Sequence, residues 1–192
     1  MKVGAILLAA GSSSRLGQPK QLLTFRGKTF VRLSVEAAIE AGCSPAIAVI
    51  GRDRDRIARE LRDLPIEIVW NQNWESGLGG SIRAGVEAAR NCDAVVILAC
   101  DQPHVDAALL RRLIETHSST GKAIVPSAYA GTLGIPALFG WSFFHALLSL
   151  GDEEGAKPIV VAHPGEVAGV DFPAGAVDID TPEDYGNLPN ES

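Results

Sequence analysis

Val3-Gly4-Ala5-Ile6-Leu7-Leu8-Ala9-Ala10-Gly11-Ser12-Ser13-Ser14-Arg15-Leu16-Gly17-Gln18-Pro19-Lys20 begins as an unbroken apolar run and turns abruptly into a loop of small residues. An apolar run such as 3–9 is the pattern of a parallel strand buried on both faces. In an open α/β sheet, ligands bind beyond the carboxyl ends of such strands, where this loop begins. Small residues let backbone N–H groups approach an anion and form a concave nest. Arg15 and Lys20 add charge-assisted contacts suited to a polyphosphate. The loop fits neither common phosphate motif. A P-loop needs GxxxxGK[ST], but Lys20 stands three residues beyond Gly17; a GxGxxG fingerprint would need glycine where Ser13 stands.

Outward from this loop, strand and helix patterns alternate. Apolar runs predict strands at 46–50, 66–70, 94–100 and 122–126. Helical spacing predicts helices at 30–41, 53–63, 80–90 and 106–117. Gly42 stops the first helix and Asp106 caps the fourth. This order predicts a Rossmann-like, three-layer, doubly wound α/β fold with a mostly parallel sheet. After Pro126 the segments shorten: 135–139, a helix at about 141–150, then 158–162, 166–170 and 176–179. They read as an insertion followed by a return to the sheet edge. The Arg and Asp residues of 53–63 read as a solvated helix face with internal ion pairs, and Trp141, Phe143 and Phe144 as core. One domain over residues 1–192 is expected at this length.

Composition narrows the partners. With 17 Lys and Arg against 23 Asp and Glu, the net charge is −6. So acidic a chain lacks the broad electrostatic footprint for nucleic acid or an anionic membrane, and a phosphate ligand must be held by a few placed groups. Cys43, Cys92 and Cys100 form no CxxC pair and read as reduced thiols, with Cys100 in the core. The four histidines show no ligand spacing. The N-terminal apolar stretch is short and enters a Gly-Ser loop, unlike a signal peptide. No run approaches the roughly 18 apolar residues of a bilayer span. A soluble, cytoplasmic protein is expected.

Three more stations follow predicted strands. In Asn71 through Gly85, the cluster Gly77, Gly79, Gly80 and Ser81 reads either as a flexible loop before a helix or as a ligand-facing turn. Cys100-Asp101-Gln102-Pro103 ends the most apolar run, and a carboxylate there is placed for function, since burying it without a partner is costly. In an extended Asp178-Ile179-Asp180, the two aspartates face the same way. Thr181-Pro182-Glu183 reads as a helix start with Thr181 as N-cap. Asp101 and Asp180 are distant in sequence, and a hard cation is a reason to bring two carboxylates together.

LAAGSSSRLGQPKQLL, residues 8–23, resembles the LAAGxSxRxGxxK signature of sugar-phosphate-type nucleotidyltransferases. Within that MobA-like NTP transferase superfamily, the chain is most similar to the molybdenum cofactor cytidylyltransferase group. The resemblance implies the glycosyltransferase-A-like form of the doubly wound fold. It implies that Leu8, Ala9, Ala10, Gly11, Ser12 and Ser13 wrap a triphosphate, and that Asn71, Gly80 and Ser81 contact the base. Arg15, Lys20 and Asp101 become the catalytic residues. Asp101, in a segment similar to the family's GDQP, and Asp180, in DIDTPEDY, would hold Mg²⁺. Gly134 and Pro136, in a stretch similar to GHPxLF, would face the acceptor. Four positions depart from the pattern: Cys100 replaces glycine, Gly79 and Gly80 replace serines, and Ile135 replaces histidine. The glycines are expected to loosen their loop, and Ile135 to remove a polar group from the acceptor side. Ala10, where guanylyltransferase relatives usually carry glycine, leans toward a pyrimidine nucleotide.

The implied reaction is Mg²⁺-dependent transfer of CMP from CTP to a small phosphate-bearing acceptor such as molybdopterin, with release of pyrophosphate. A molybdoenzyme or its chaperone would be a further partner. The rival is a non-catalytic protein that binds a nucleotide or the molybdenum cofactor and delivers it. An NAD-dependent dehydrogenase fits less well, because GxGxxG is missing and Gly51-Arg52-Asp53 follows the second strand.

Overall fold

The computed structural model describes residues 1–13 and 16–188. Its centre is a seven-stranded sheet in the order β5-β4-β1-β6-β8-β7-β9. The strands are β1 (Val3–Ala9), β4 (Ala46–Ile50), β5 (Glu67–Trp70), β6 (Ala94–Ala99), β7 (Ile124–Tyr129), β8 (Thr132–Gly140) and β9 (Val170–Asp171). A small hairpin, β2 (Thr24–Phe25) with β3 (Lys28–Thr29), stands apart. The helices are α1 (Phe30–Glu40), α2 (Arg54–Leu61), α3 (Leu78–Ala88), α4 (Ala107–Thr120), α5 (Phe144–Leu148), α6 (Lys157–Ala162) and α7 (Pro182–Gly186).

β1 lies between β4 and β6, parallel to both, so that Ile6 is flanked by Ile47 and Ile97. Its apolar run is continuous because both faces are covered. Ala5, Leu7 and Ala9 join a core with Val31, Val35, Ile57, Leu110 and Leu113. Ile6 and Leu8 point the other way, toward Ile82, Val86, Phe144 and Leu147. These are the two cores of a three-layer, doubly wound, mostly parallel α/β fold. α3 lies very close to the sheet at Gly85, where any Cβ would run into the Ile6 side chain. β8 runs antiparallel to β6 and β7, and β9 pairs with β7 in parallel at the sheet edge.

Local signals behave as their chemistry requires. Asp106 caps α4 by accepting from Leu109 N at 2.8 Å, and Gly42, at φ +85°, ends α1. The Arg and Asp residues of α2 pair at its surface, as Arg56 with Asp53 and Arg54 with Asp55. Cys43, Cys92 and Cys100 are free and buried. No helix among the described residues is long and apolar enough to cross a membrane.

Other segments differ from expectation. Residues 158–162 lie in helix α6, because Ile159 and Val160 pack under the β8 side of the sheet while their neighbours face water. Ala176 ends a 3-10 turn, Pro173–Ala176, and residues 177–179 stay irregular. The aromatic cluster at 141–144 divides: Phe144 is buried, but Trp141 is 71% exposed and outside the core.

A third, smaller apolar cluster positions the site. Leu16, Leu23, Phe25, Phe30 and Ile179 pack together, with Tyr185 against them. It ties the far end of the glycine loop to a segment some 160 residues later, and Tyr185 reinforces it by donating from its hydroxyl to Thr24 O at 2.8 Å.

Candidate active site

The loop after β1 crosses the carboxyl edge of the sheet. Leu8, Ala10, Gly11 and Ser12 line a cavity of about 460 Å³ that also takes in Lys20, Ser81, Cys100, Asp101 and Asp178. Ala9 is turned into the core by strand alternation, and only its carbonyl serves the loop. That carbonyl and the one of Gly11 accept from Gln21 Nε2 at 3.1 and 2.9 Å. Gln21 is 2% exposed, so a buried amide braces the loop from beneath. Lys20 N donates to Ser13 Oγ at 2.9 Å and closes the loop on itself. Arg15 lies outside the described residues.

Lys20 occupies the centre of the charge arrangement. Its Nζ donates to Asp101 Oδ2 at 2.6 Å and to Asp180 Oδ1 at 3.0 Å. Two carboxylates separated by almost eighty residues thus converge on one point. Ile179 explains how: its side chain is fully buried in the third cluster, and its N–H donates to Asp101 O at 3.0 Å. The aspartates on either side are left facing outward. Thr181 then caps α7, and Asp184 Oδ2 accepts from Thr181 N and Asp180 N, fixing the backbone at the second carboxylate. Burial works against the Lys20 charge, but Asp101 and then Asp180 more than offset it and hold the ammonium well above the ordinary lysine pKa. Lys20 is therefore cationic throughout the neutral range.

Oxygen donors of this kind suit a hard divalent cation. Among the described residues, no three His, Cys, Asp or Glu side chains gather closely enough to form a metal cage. Two carboxylates completed by phosphate oxygens and water match the way Mg²⁺ is commonly held. Cys100 is buried, and that burial, with the Asp101 charge beside it, pushes its thiol up to about 12. It stays neutral and adds no negative charge to the site.

Asp178 also borders the cavity. Burial first, and then the Asp101 charge, raise its pKa above the usual carboxylate value. A carboxyl group with a raised folded-state pKa binds protons more tightly in the native state, so its contribution to stability falls as pH rises through that range. Asp178→Asn is expected to give a higher Tm than the parent at pH 7, with the difference shrinking toward pH 4. Thermal melts in chelator across that range check it.

At the other end of the cavity stand Trp74, Glu75, Gly77, Leu78 and Ser81. Asn71 is buried and spent on the loop itself: its Nδ2 donates to Ser81 Oγ at 3.1 Å, and its Oδ1 accepts from Asn73 N at 3.0 Å. Of the three residues expected at the base, Ser81 lines the cavity, whereas Asn71 and Gly80 lie behind it.

The expected looseness at Gly79 is not what the structure contains. The 150–154 turn docks on the start of α3: Gly79 N donates to Asp152 O at 2.8 Å, and Arg83 binds Leu150 O and the Asp152 carboxylate. A Cβ on Gly79 would run into Gly151 O, and one on Gly77 into Asp152 O. Glycine at 79 therefore tightens the loop by permitting this approach. Gly79→Ser is expected to destabilise the fold by about 1–3 kcal/mol through overpacking and to raise the KM for nucleotide, as read by denaturant melts and steady-state kinetics.

The two residues expected on the acceptor side lie off the cavity. Gly134 faces the Tyr129 hydroxyl, and Pro136 is buried with its carbonyl accepting from Ser127 Oγ at 2.7 Å. Neither borders the cavity. Ile135, between them, does, together with Tyr129 and Gln102. The β7–β8 ladder steps from Pro126 opposite Ala137 to Ser127 opposite Gly134, so Ile135 and Pro136 stand in a bulge, and it is Ile135 that reaches the cavity. Gln102 is 4% exposed and donates to Gly175 O at 3.1 Å, joining the Asp101 turn to the C-terminal segment. Sequence reasoning missed Gln21, Gln102, Trp74 and Tyr129 as cavity residues. The one available signal was that Gln21 and Gln102 each directly follow a residue already singled out.

Residues 5–167 match the MobA-like NTP transferase domain. Nicotine blue oxidoreductase of Paenarthrobacter nicotinovorans is 35% identical over 116 residues, which is 60% of this chain and 57% of that protein. The match thus spans little more than half of that relative. Purine catabolism protein PucB of Bacillus subtilis (strain 168) is 28% identical, covering 94% of this chain and 92% of its own. A nucleotidyl transferase from Methanothermobacter thermautotroptrophicus superposes with a TM-score of 0.84 at 27% identity, covering 97% and 95% of the two chains. Rv0371C of Mycobacterium tuberculosis H37Rv, solved as a complex with manganese, gives a TM-score of 0.78 at 26% identity over the full length of both.

Proposed function

The chain belongs to the MobA-like NTP transferase family, and on that premise we propose that it transfers CMP from CTP to a small phosphate-bearing acceptor of the molybdopterin type, releasing pyrophosphate. The observation that carries this reading is the convergence of Asp101 and Asp180 on the Lys20 ammonium at the edge of the glycine-loop cavity.

A triphosphate lies along the loop, held by backbone N–H groups of residues 10–12 in a nest braced by Gln21. An oxygen of the acceptor phosphate attacks the α-phosphorus. The new P–O bond forms as the bond to pyrophosphate breaks, and the electron pair leaves with pyrophosphate. The nucleophile is already an anion, so no general base is assigned. Lys20, permanently charged, neutralises the departing phosphates, and Arg15 is proposed to do the same. Asp101 and Asp180 would hold Mg²⁺, which supplies Lewis-acid polarisation and a template for the phosphates. The remaining work is positioning and charge neutralisation. Ile135 and Tyr129 bound the acceptor side with an apolar wall and a single hydroxyl, a surface suited to a flat acceptor body.

The experiment is a pyrophosphate-release assay with each of four nucleoside triphosphates against molybdopterin-type and other phosphate acceptors, with Mg²⁺, Mn²⁺ or chelator. Release that needs CTP, divalent metal and a molybdopterin-type acceptor is expected. Release with another nucleotide or acceptor would replace the specificity but keep the reaction. Nucleotide binding without release under every condition would favour the delivery reading instead.

A further inference from the structure

Trp74 has no part in the roles described so far, yet it forms a wall of the cavity. It sits in a one-turn 3-10 helix, Trp74–Ser76, just after β5. The sheet order puts the loops after β4 and β5 on one flank of the glycine loop, and Asp101, after β6, on the other. With the reacting phosphate drawn to the Lys20 and Asp101 side, the opposite flank is left for the nucleoside. Trp74 stands there with Leu8, Ala10, Leu78 and Ser81.

The indole is held from behind. Gly51 directly follows β4, and a Cβ at that position would lie 2.7 Å from Trp74 Cγ, 2.8 Å from Trp74 Cβ and 2.6 Å from Ala10 O. Only a residue without a side chain lets Trp74 sit against the end of β4 and the glycine loop together. Trp74 also borders a second cavity, with Arg52, Arg54, Trp70 and Gln72. It is therefore a partition between two open spaces and not a core side chain. An aromatic side chain seated on backbone and bordering a ligand cavity offers a stacking surface.

We propose that Trp74, seated on Gly51, is the platform on which the planar base of the nucleoside triphosphate stacks. This rests on the nucleotide reading above. Stacking tolerates any base, because every base has a π-face; it supplies affinity for nucleotides as a class and leaves the choice among them to polar groups such as Ser81.

The test compares CTP with inorganic tripolyphosphate, which carries the phosphates but no base. Calorimetry with Mg²⁺ on the full chain is expected to find CTP binding weakened about tenfold in Trp74→Ala, with tripolyphosphate binding unchanged. Trp74→Phe, which keeps an aromatic face, should retain most of the CTP affinity. In a Trp70→Phe, Trp141→Phe background Trp74 is the only tryptophan; CTP should quench its fluorescence and tripolyphosphate should not. Equal loss for both ligands in Trp74→Ala, or no loss for either, overturns the proposal while the nucleotide reading stands. A parent protein that binds neither ligand overturns the nucleotide reading and this proposal with it.

Discussion

Asp101→Asn is expected to lower kcat for CTP-dependent pyrophosphate release by about 10²–10³-fold, the range found when one preorganised electrostatic group is lost from a reacting centre. The substitution keeps the shape and removes one negative charge. Lys20 retains Asp180 at 3.0 Å, so the ammonium stays in place and the fold should melt near the parent temperature. On the proposed function, what is lost is one of two oxygen donors to a divalent cation, so the metal concentration for half-maximal rate should rise. The KM for CTP should move less than kcat, since the loss falls on the step where charge develops. Titration with Mg²⁺ and Mn²⁺, alongside a thermal melt, separates this outcome from misfolding. A loss below about tenfold, roughly 1.4 kcal/mol, would remove Asp101 from the reaction.

Lys20→Ala should also lower kcat by about 10²–10³-fold, but with the opposite effect on metal. The parent ammonium lies 2.6 Å from Asp101 and 3.0 Å from Asp180, and it competes with any cation for the same oxygens. Without it, two facing carboxylates repel each other and attract a divalent ion more strongly. Mn²⁺ binding without nucleotide, read by calorimetry or paramagnetic relaxation, is therefore expected to tighten several-fold while turnover falls. A variant whose metal affinity and turnover fell together would place Lys20 outside this role. The double variant Lys20→Ala, Asp101→Asn should lose much less than the product of the single losses, because the two residues act as one unit.

The parts of the site legible in the sequence are those fixed by strand geometry. A buried parallel strand announces itself as an apolar run, and the residues that follow it stand at the carboxyl edge of the sheet, as Lys20 and Asp101 do beside the cavity. Two-residue alternation puts Asp178 and Asp180 on one side of the segment, with Ile179 buried between them. The parts not legible depend on contacts made across the chain. Gln21 is a polar residue in a short turn, and nothing local says that its amide would be buried under Ala9 and Gly11. Gly79 reads as a source of slack until the turn at 150–154 is seen lying on it. Gly134 and Pro136 share a hairpin with Ile135, but the bulge that leaves 135 and 136 outside the ladder, with Ile135 at the cavity, exists only once β7 and β8 have paired. Trp141 sits among aromatics and still faces water, while Phe144 enters the core and Phe143 packs against its edge.

The approach of the 150–154 turn to Gly79 also bears on how this protein can be recombined. A hybrid that took its first half from a relative with serine at the position of Gly79, and its second half from this chain, would bring a side chain onto Gly151 O. It would carry both sets of reactive groups intact and still fail at the seam. Exchange of the second half is expected to succeed only when residue 79 and the 150–154 turn come from the same parent.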